Sequence, residues 1–122
     1  MYGHTDSGFI TLLTTLGYPG LQVLHDGEYK PVLIEPNTLV VNIGNMLARL
    51  TGNDLKATKH RVVDIGIERY SSPFFCEACY TARIPSSLHL GDDDPHSLLY
   101  GDYLIDFISG FYASPEVAPL LR

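Results

Sequence analysis

His4 and Asp6 set an imidazole and a carboxylate two residues apart, with Thr5 between them. In an extended strand alternate side chains share a face, so the two groups point one way and Thr5 the other. His60, far along the chain, offers a second imidazole from a neighbouring strand. Two nitrogens and one carboxylate oxygen on one face of an ion leave other positions open, the donor set of non-haem Fe(II) centres that activate oxygen. The H-x-D tripeptide alone is common. It gains force from residues later in the chain and from their order: Lys56 to Val62 around His60, then Glu68-Arg69-Tyr70-Ser71.

These residues need strands to hold them. Phe9 to Thr14 is rich in β-formers and reads as a strand continuing from the His-Asp pair. Leu21 to Leu24 and Tyr29 to Val32 read as a hairpin turned at Asp26-Gly27, with Pro31 suited to an edge. Thr38 to Ile43 is nearly continuous in apolar residues, which predicts a strand buried on both faces. Gly44-Asn45 breaks it, and Met46 to Leu50 predicts a single helical turn. Leu55 to Val63 and Ile67 to Phe75 are expected to pair around Asp64-Ile65-Gly66. With Ile65-Gly66 as a two-residue loop, His60 faces Ser71 and Val62 faces Arg69, all four on one face of the sheet. Many short strands between turns predict an all-β sandwich or barrel, and a jelly roll of the cupin kind fits. Tyr100, Leu104, Phe107, Ile108 and Phe111 recur at helical spacing and predict a C-terminal amphipathic helix. Before it, His89 to His96 holds two histidines and three aspartates, read as a polar turn before a metal site.

The ordered set resembles the Fe(II)/2-oxoglutarate-dependent dioxygenases of the isopenicillin N synthase-like superfamily. Gly20-Leu21-Gln22-Val23, Asp26-Gly27-Glu28-Tyr29 and Leu39 to Gly44 add to the likeness, which is dense from Tyr2 to Phe75 and thin afterwards. The resemblance implies a double-stranded β-helix core over residues 1–84, incomplete in this chain, followed by a polar loop and helix over 85–122. It implies Fe(II) held by His4, Asp6 and His60, with 2-oxoglutarate and dioxygen as cosubstrates. The far carboxylate of 2-oxoglutarate then falls to Arg69 and Ser71. A guanidinium fork matches a carboxylate in two parallel hydrogen bonds, and a serine hydroxyl adds a donor. The implied reaction is hydroxylation, desaturation or cyclisation of a small organic molecule, with release of succinate and CO2.

Two departures stand out. Asn45 occupies a position where the family usually has Asp, and the upstream strand from which relatives offer an aromatic hydroxyl is missing. The chain is therefore read as the C-terminal catalytic portion of a longer enzyme. Two other readings stay open: an inactive fragment or binding module of the same fold, and a related oxidase that does not use 2-oxoglutarate.

Composition narrows the classes. The chain has 122 residues, 45% of them hydrophobic and 18% charged, which describes one globular domain with a core. A net charge of −6 without a basic run argues against nucleic acid. No apolar stretch reaches the ~20 residues that span a bilayer, and the start lacks the pattern of a signal peptide. Cys76 and Cys79 form one C-x-x-C without a second pair, read as two ordinary thiols in a reducing compartment, with cytoplasm as the default. The sequence leaves the oligomeric state undetermined.

Overall fold

The computed structural model describes residues 2–91 and 93–113. Asp92 of the polar loop and the last nine residues of the 85–122 segment lie outside the described residues. Strands β1 (Ile10–Thr14), β2 (Leu21–His25), β3 (Glu28–Pro31) and β4 (Val40–Ile43) lead into helix α1 (Asn45–Leu50). Then come β5 (His60–Val62), β6 (Ser72–Cys76), β7 (Arg83–Ile84), β8 (Leu98–Leu99) and helix α2 (Tyr100–Tyr112).

The strands alternate between two antiparallel sheets, ordered β4-β1-β6 and β3-β2-β5, while β7 and β8 pair by themselves. Parity assigns the faces. In the first sheet Thr11 and Leu13 turn inward with Asn42, Pro73 and Phe75; in the second, Leu21, His60 and Val62 do so. The inner faces meet at a cavity of about 110 Å³, the arrangement of a jelly roll.

Local chemistry explains the turns. Asp26 and Gly27 both take positive φ, 51° and 80°, as the type I′ hairpin between β2 and β3 requires. β3 is a sheet edge, which tolerates Pro31.

The expected hairpin between the His60 and Ser71 strands does not form. β2 pairs along one edge of β5, and His4 bridges His60 on the other. Asp64 Oδ1 accepts from Gly66 N at 2.8 Å, which closes the turn, but the chain then crosses to the other sheet, where β6 pairs with β1. The predicted pairings of His60 with Ser71 and of Val62 with Arg69 are therefore corrected. A second correction concerns Thr38 to Ile43. Only its inner side is covered, since Val41 is 57% exposed and shares the outer face with Leu12 and the exposed Phe74.

The apolar core lies to one side of the cavity. Met46 and Leu50 of α1, Ile84 of β7 and Tyr100 of α2 are buried together, with Phe9, Leu98 and Leu104 packed against them. No described helix is long and apolar enough to cross a membrane.

Candidate metal centre

The two sheets are joined by the segment that carries His4 and Asp6. His4 N donates to His60 O at 3.0 Å and His60 N to His4 O at 2.8 Å, so the two residues stand directly opposite and their side chains share a face. Two residues on, the chain leaves that sheet through Ser7-Gly8 and enters β1 of the other.

This turn is clamped by the start of α1. The first amides of a helix have no partners inside it, and Gly44, the residue before it, has no side chain to cap them. Asn45 N donates to Asp6 O at 2.8 Å, and Met46 N to Gly8 O at 3.0 Å. Gly44 must be glycine for this approach, because a Cβ there would lie 2.1 Å from Gly8 O. From α2, Tyr103 donates its hydroxyl to Ser7 O at 2.8 Å. Ser7 Oγ donates to Glu77 Oε1, and the buried Tyr100 hydroxyl donates to Glu77 Oε2. Burial, opposed by the Ser7 bond and aided by the Asp6 charge, pushes the Glu77 carboxyl above its usual range.

Each imidazole is set by its own backbone. His4 Nδ1 donates to Tyr2 O at 3.0 Å, and His60 Nδ1 donates to Thr58 O at 3.1 Å. A carbonyl can only accept, so Nδ1 is the donor in both rings, and in the neutral imidazole Nε2 is then the lone-pair nitrogen that a metal would take. Both Nε2 atoms lie 3.6 Å from Asp6 Oδ1, too long for hydrogen bonds. The other carboxylate oxygen, Oδ2, accepts from Thr11 Oγ1 at 2.5 Å and Asn42 Nδ2 at 2.9 Å. The three available donor atoms lie within 4.8 Å of one another, and among the described residues no other group of histidine, cysteine and carboxylate side chains does this. Two neutral nitrogens and one carboxylate oxygen fit a divalent ion such as Fe(II).

The remaining sequence candidates divide between the cavity and the surface around it. Ser71 lines the cavity together with the three donors. Arg69 is not on its wall: its Nε sits beside Gly20, 3.9 Å from where a Cβ would be, and is the one buried side-chain nitrogen or oxygen among the described residues without a hydrogen-bond partner. In the polar loop, Ser86 N, Ser86 Oγ and His96 N all donate to the Asp94 carboxylate, which ties the loop together. Cys76 and Cys79 are free thiols.

Residues 1–78 match the sequence profile of the 2OG-Fe(II) oxygenase superfamily. The chain belongs to that superfamily. It is 40% identical over 108 residues to gibberellin 2-beta-dioxygenase 5 of Oryza sativa subsp. japonica, covering 82% of this chain and 31% of that one. A 2OG-Fe(II) oxygenase family structure from Caulobacter crescentus is 35% identical with a TM-score of 0.77, over 90% of this chain and 40% of the other. A Neurospora crassa protein solved with alpha-KG and 5-formyluracil is 30% identical with a TM-score of 0.76, over 89% and 39%. The jelly-roll fold expected of the chain is that of these oxygenases. The chain spans about a third of the length of the curated relative.

Thr11 and Asn42 are the polar residues of the site to which the sequence alone assigns no role. Their signal is present there: each is the hydrophilic interruption of an apolar strand, in Ile10-Thr11-Leu12-Leu13 and Val40-Val41-Asn42-Ile43.

Proposed function

We propose that this chain carries the oxidising centre of an Fe(II)- and 2-oxoglutarate-dependent oxygenase that acts on a small organic molecule. In this reading residues 1–84 hold the centre, residues 85–122 are the polar loop and C-terminal helix that follow it, and the protein works in the cytoplasm. The observation that carries the proposal is the convergence of His4 Nε2 and His60 Nε2 on Asp6 Oδ1, with both Nδ1 protons given to backbone carbonyls.

His4, Asp6 and His60 hold Fe(II), and the carboxylate offsets part of its charge. Arg69 and Ser71 take the far carboxylate of 2-oxoglutarate. Two features support this: Ser71 borders the cavity, and the Arg69 Nε–H is buried without an acceptor, a costly state that a carboxylate would relieve. Bound Fe(II) and 2-oxoglutarate supply the oxidation, in which one oxygen atom of O2 enters succinate as CO2 leaves and the other serves to oxidise the substrate. The protein's own part is to hold the imidazoles in one tautomer, to keep one face of the ion free, and to border it with the apolar Leu13, Leu21 and Val62.

Anaerobic titration of the Fe(II)-loaded chain with 2-oxoglutarate tests the reading. Wild type binds the dicarboxylate, and both His60→Ala and Arg69→Ala weaken that binding by tenfold or more, on the scale of a lost charge-assisted bond. Binding indifferent to both substitutions contradicts it.

A further inference from the structure

Thr11 and Asn42 are register partners across the β1–β4 ladder, so their side chains leave the sheet side by side on the cavity face. Strands this apolar have no packing reason for a polar pair at that position. Thr11 is 4% exposed, and a hydroxyl so buried needs a partner. Its proton goes to Asp6 Oδ2, and the Asn42 amide donates to the same oxygen. Oδ1 receives neither bond and is the oxygen that faces both imidazoles.

A carboxylate can give a metal one oxygen or two. We infer that Thr11 and Asn42 are positioning residues that reserve Asp6 Oδ2, so that the carboxylate presents Oδ1 alone and the ion keeps its remaining positions for exchangeable ligands. The inference rests on the metal reading proposed above and extends it to which oxygen binds and what decides that. The β1–β4 register is what makes it possible: a one-residue slip would turn one of Thr11 and Asn42 to the outer face and take one of the two donors from Oδ2.

The test uses the full chain with Co(II) as the probe, read by its ligand-field absorption and its dissociation constant, with far-UV circular dichroism to verify folding. Thr11→Val keeps the shape and removes the donor; Asn42→Leu does the same for the amide; Thr11→Ser keeps a hydroxyl. The expected result is a wild-type spectrum for Thr11→Ser, and for each of the other two a changed band intensity with affinity weakened about tenfold to a hundredfold. Folded Thr11→Val and Asn42→Leu chains with wild-type spectrum and affinity overturn the inference, even if their melting temperatures fall. Should Thr11→Val not fold, the Asn42→Leu result decides in the same way. A wild-type chain that binds Co(II) no better than His60→Ala removes the metal reading itself, an outcome distinct from a failure confined to the two positioning residues.

Discussion

His4 and His60 face each other across a bridge closed by two backbone hydrogen bonds, and each directs its Nε2 toward the same oxygen of Asp6. The bridge belongs to one sheet, while the oxygen's twin is tied to β1 and β4 of the other. The donor set is thus built across the seam between the sheets, and anything that moves the joining turn moves the carboxylate relative to the imidazoles.

Gly44 guards that turn. Adding a methyl group as Gly44→Ala places a Cβ 2.1 Å from Gly8 O, and backbone on both sides has to give. The expected cost is about 1–3 kcal/mol of stability, as for other overpacked sites, together with weaker metal binding, because Asp6 O and Gly8 O both receive α1 amides. Urea unfolding and a Co(II) titration measure the two effects. Wild-type values in both would show that the turn is not held through this contact.

The candidate donors His4, Asp6 and His60 are legible from their types and order. The strand expected to run from the His-Asp pair into β1 is instead a joining segment, with His4 in a single bridge and Asp6 outside the strands. The segments of β1 to β4, the Asp26-Gly27 turn and the helix from Tyr100 are legible through periodicity and turn chemistry. By contrast, β5 and β6 are shorter than the runs Leu55 to Val63 and Ile67 to Phe75, and the two-residue strands β7 and β8 carry no such signal. The partner of β5 is not legible. Asp64-Ile65-Gly66 does form a turn, but whether two strands pair after a turn depends on which edges are already occupied, and His4 takes this one. Nor can the apolar run at Thr38 to Ile43 tell a doubly covered strand from one whose outer side, with Val41, stays exposed. Thr11 and Asn42 escape a linear reading because their role appears only when the β1–β4 register sets them opposite each other.

Asp94 sets a pH dependence in the loop before α2. Hydrogen bonds from Ser86 and His96 hold its carboxyl at about 2, below the ordinary 3.8. A depressed carboxylate contributes stability that is present above the unfolded value and lost as pH falls through the folded one. The loop is therefore expected to stay ordered at pH 5 and to loosen between pH 4 and 2. Amide NMR signals of Ser86 and His96 followed through an acid titration check this, and Asp94→Asn should flatten the response. A transition centred at 4 or above would show that these bonds do not favour the ionised form.

Arg69→Lys keeps the charge and removes the planar fork. For a guanidinium that meets a carboxylate in two parallel bonds, the substitution is not conservative. The concentration of 2-oxoglutarate required for binding to the Fe(II)-loaded chain should rise about tenfold or more, given the ~1.5–3 kcal/mol typical of charged hydrogen bonds, while Fe(II) binding itself stays unchanged. An unchanged requirement would place the far carboxylate elsewhere.

The central claim is that His4, Asp6 and His60 form one metal centre in this chain, and an anaerobic Fe(II) titration tests it most directly. Wild type should bind one Fe(II) per chain, with Asp6→Ala and His60→Ala each weaker by more than about a hundredfold, since loss of a ligand exceeds loss of a residue that merely orients one. Wild-type binding no tighter than that of His60→Ala would contradict it.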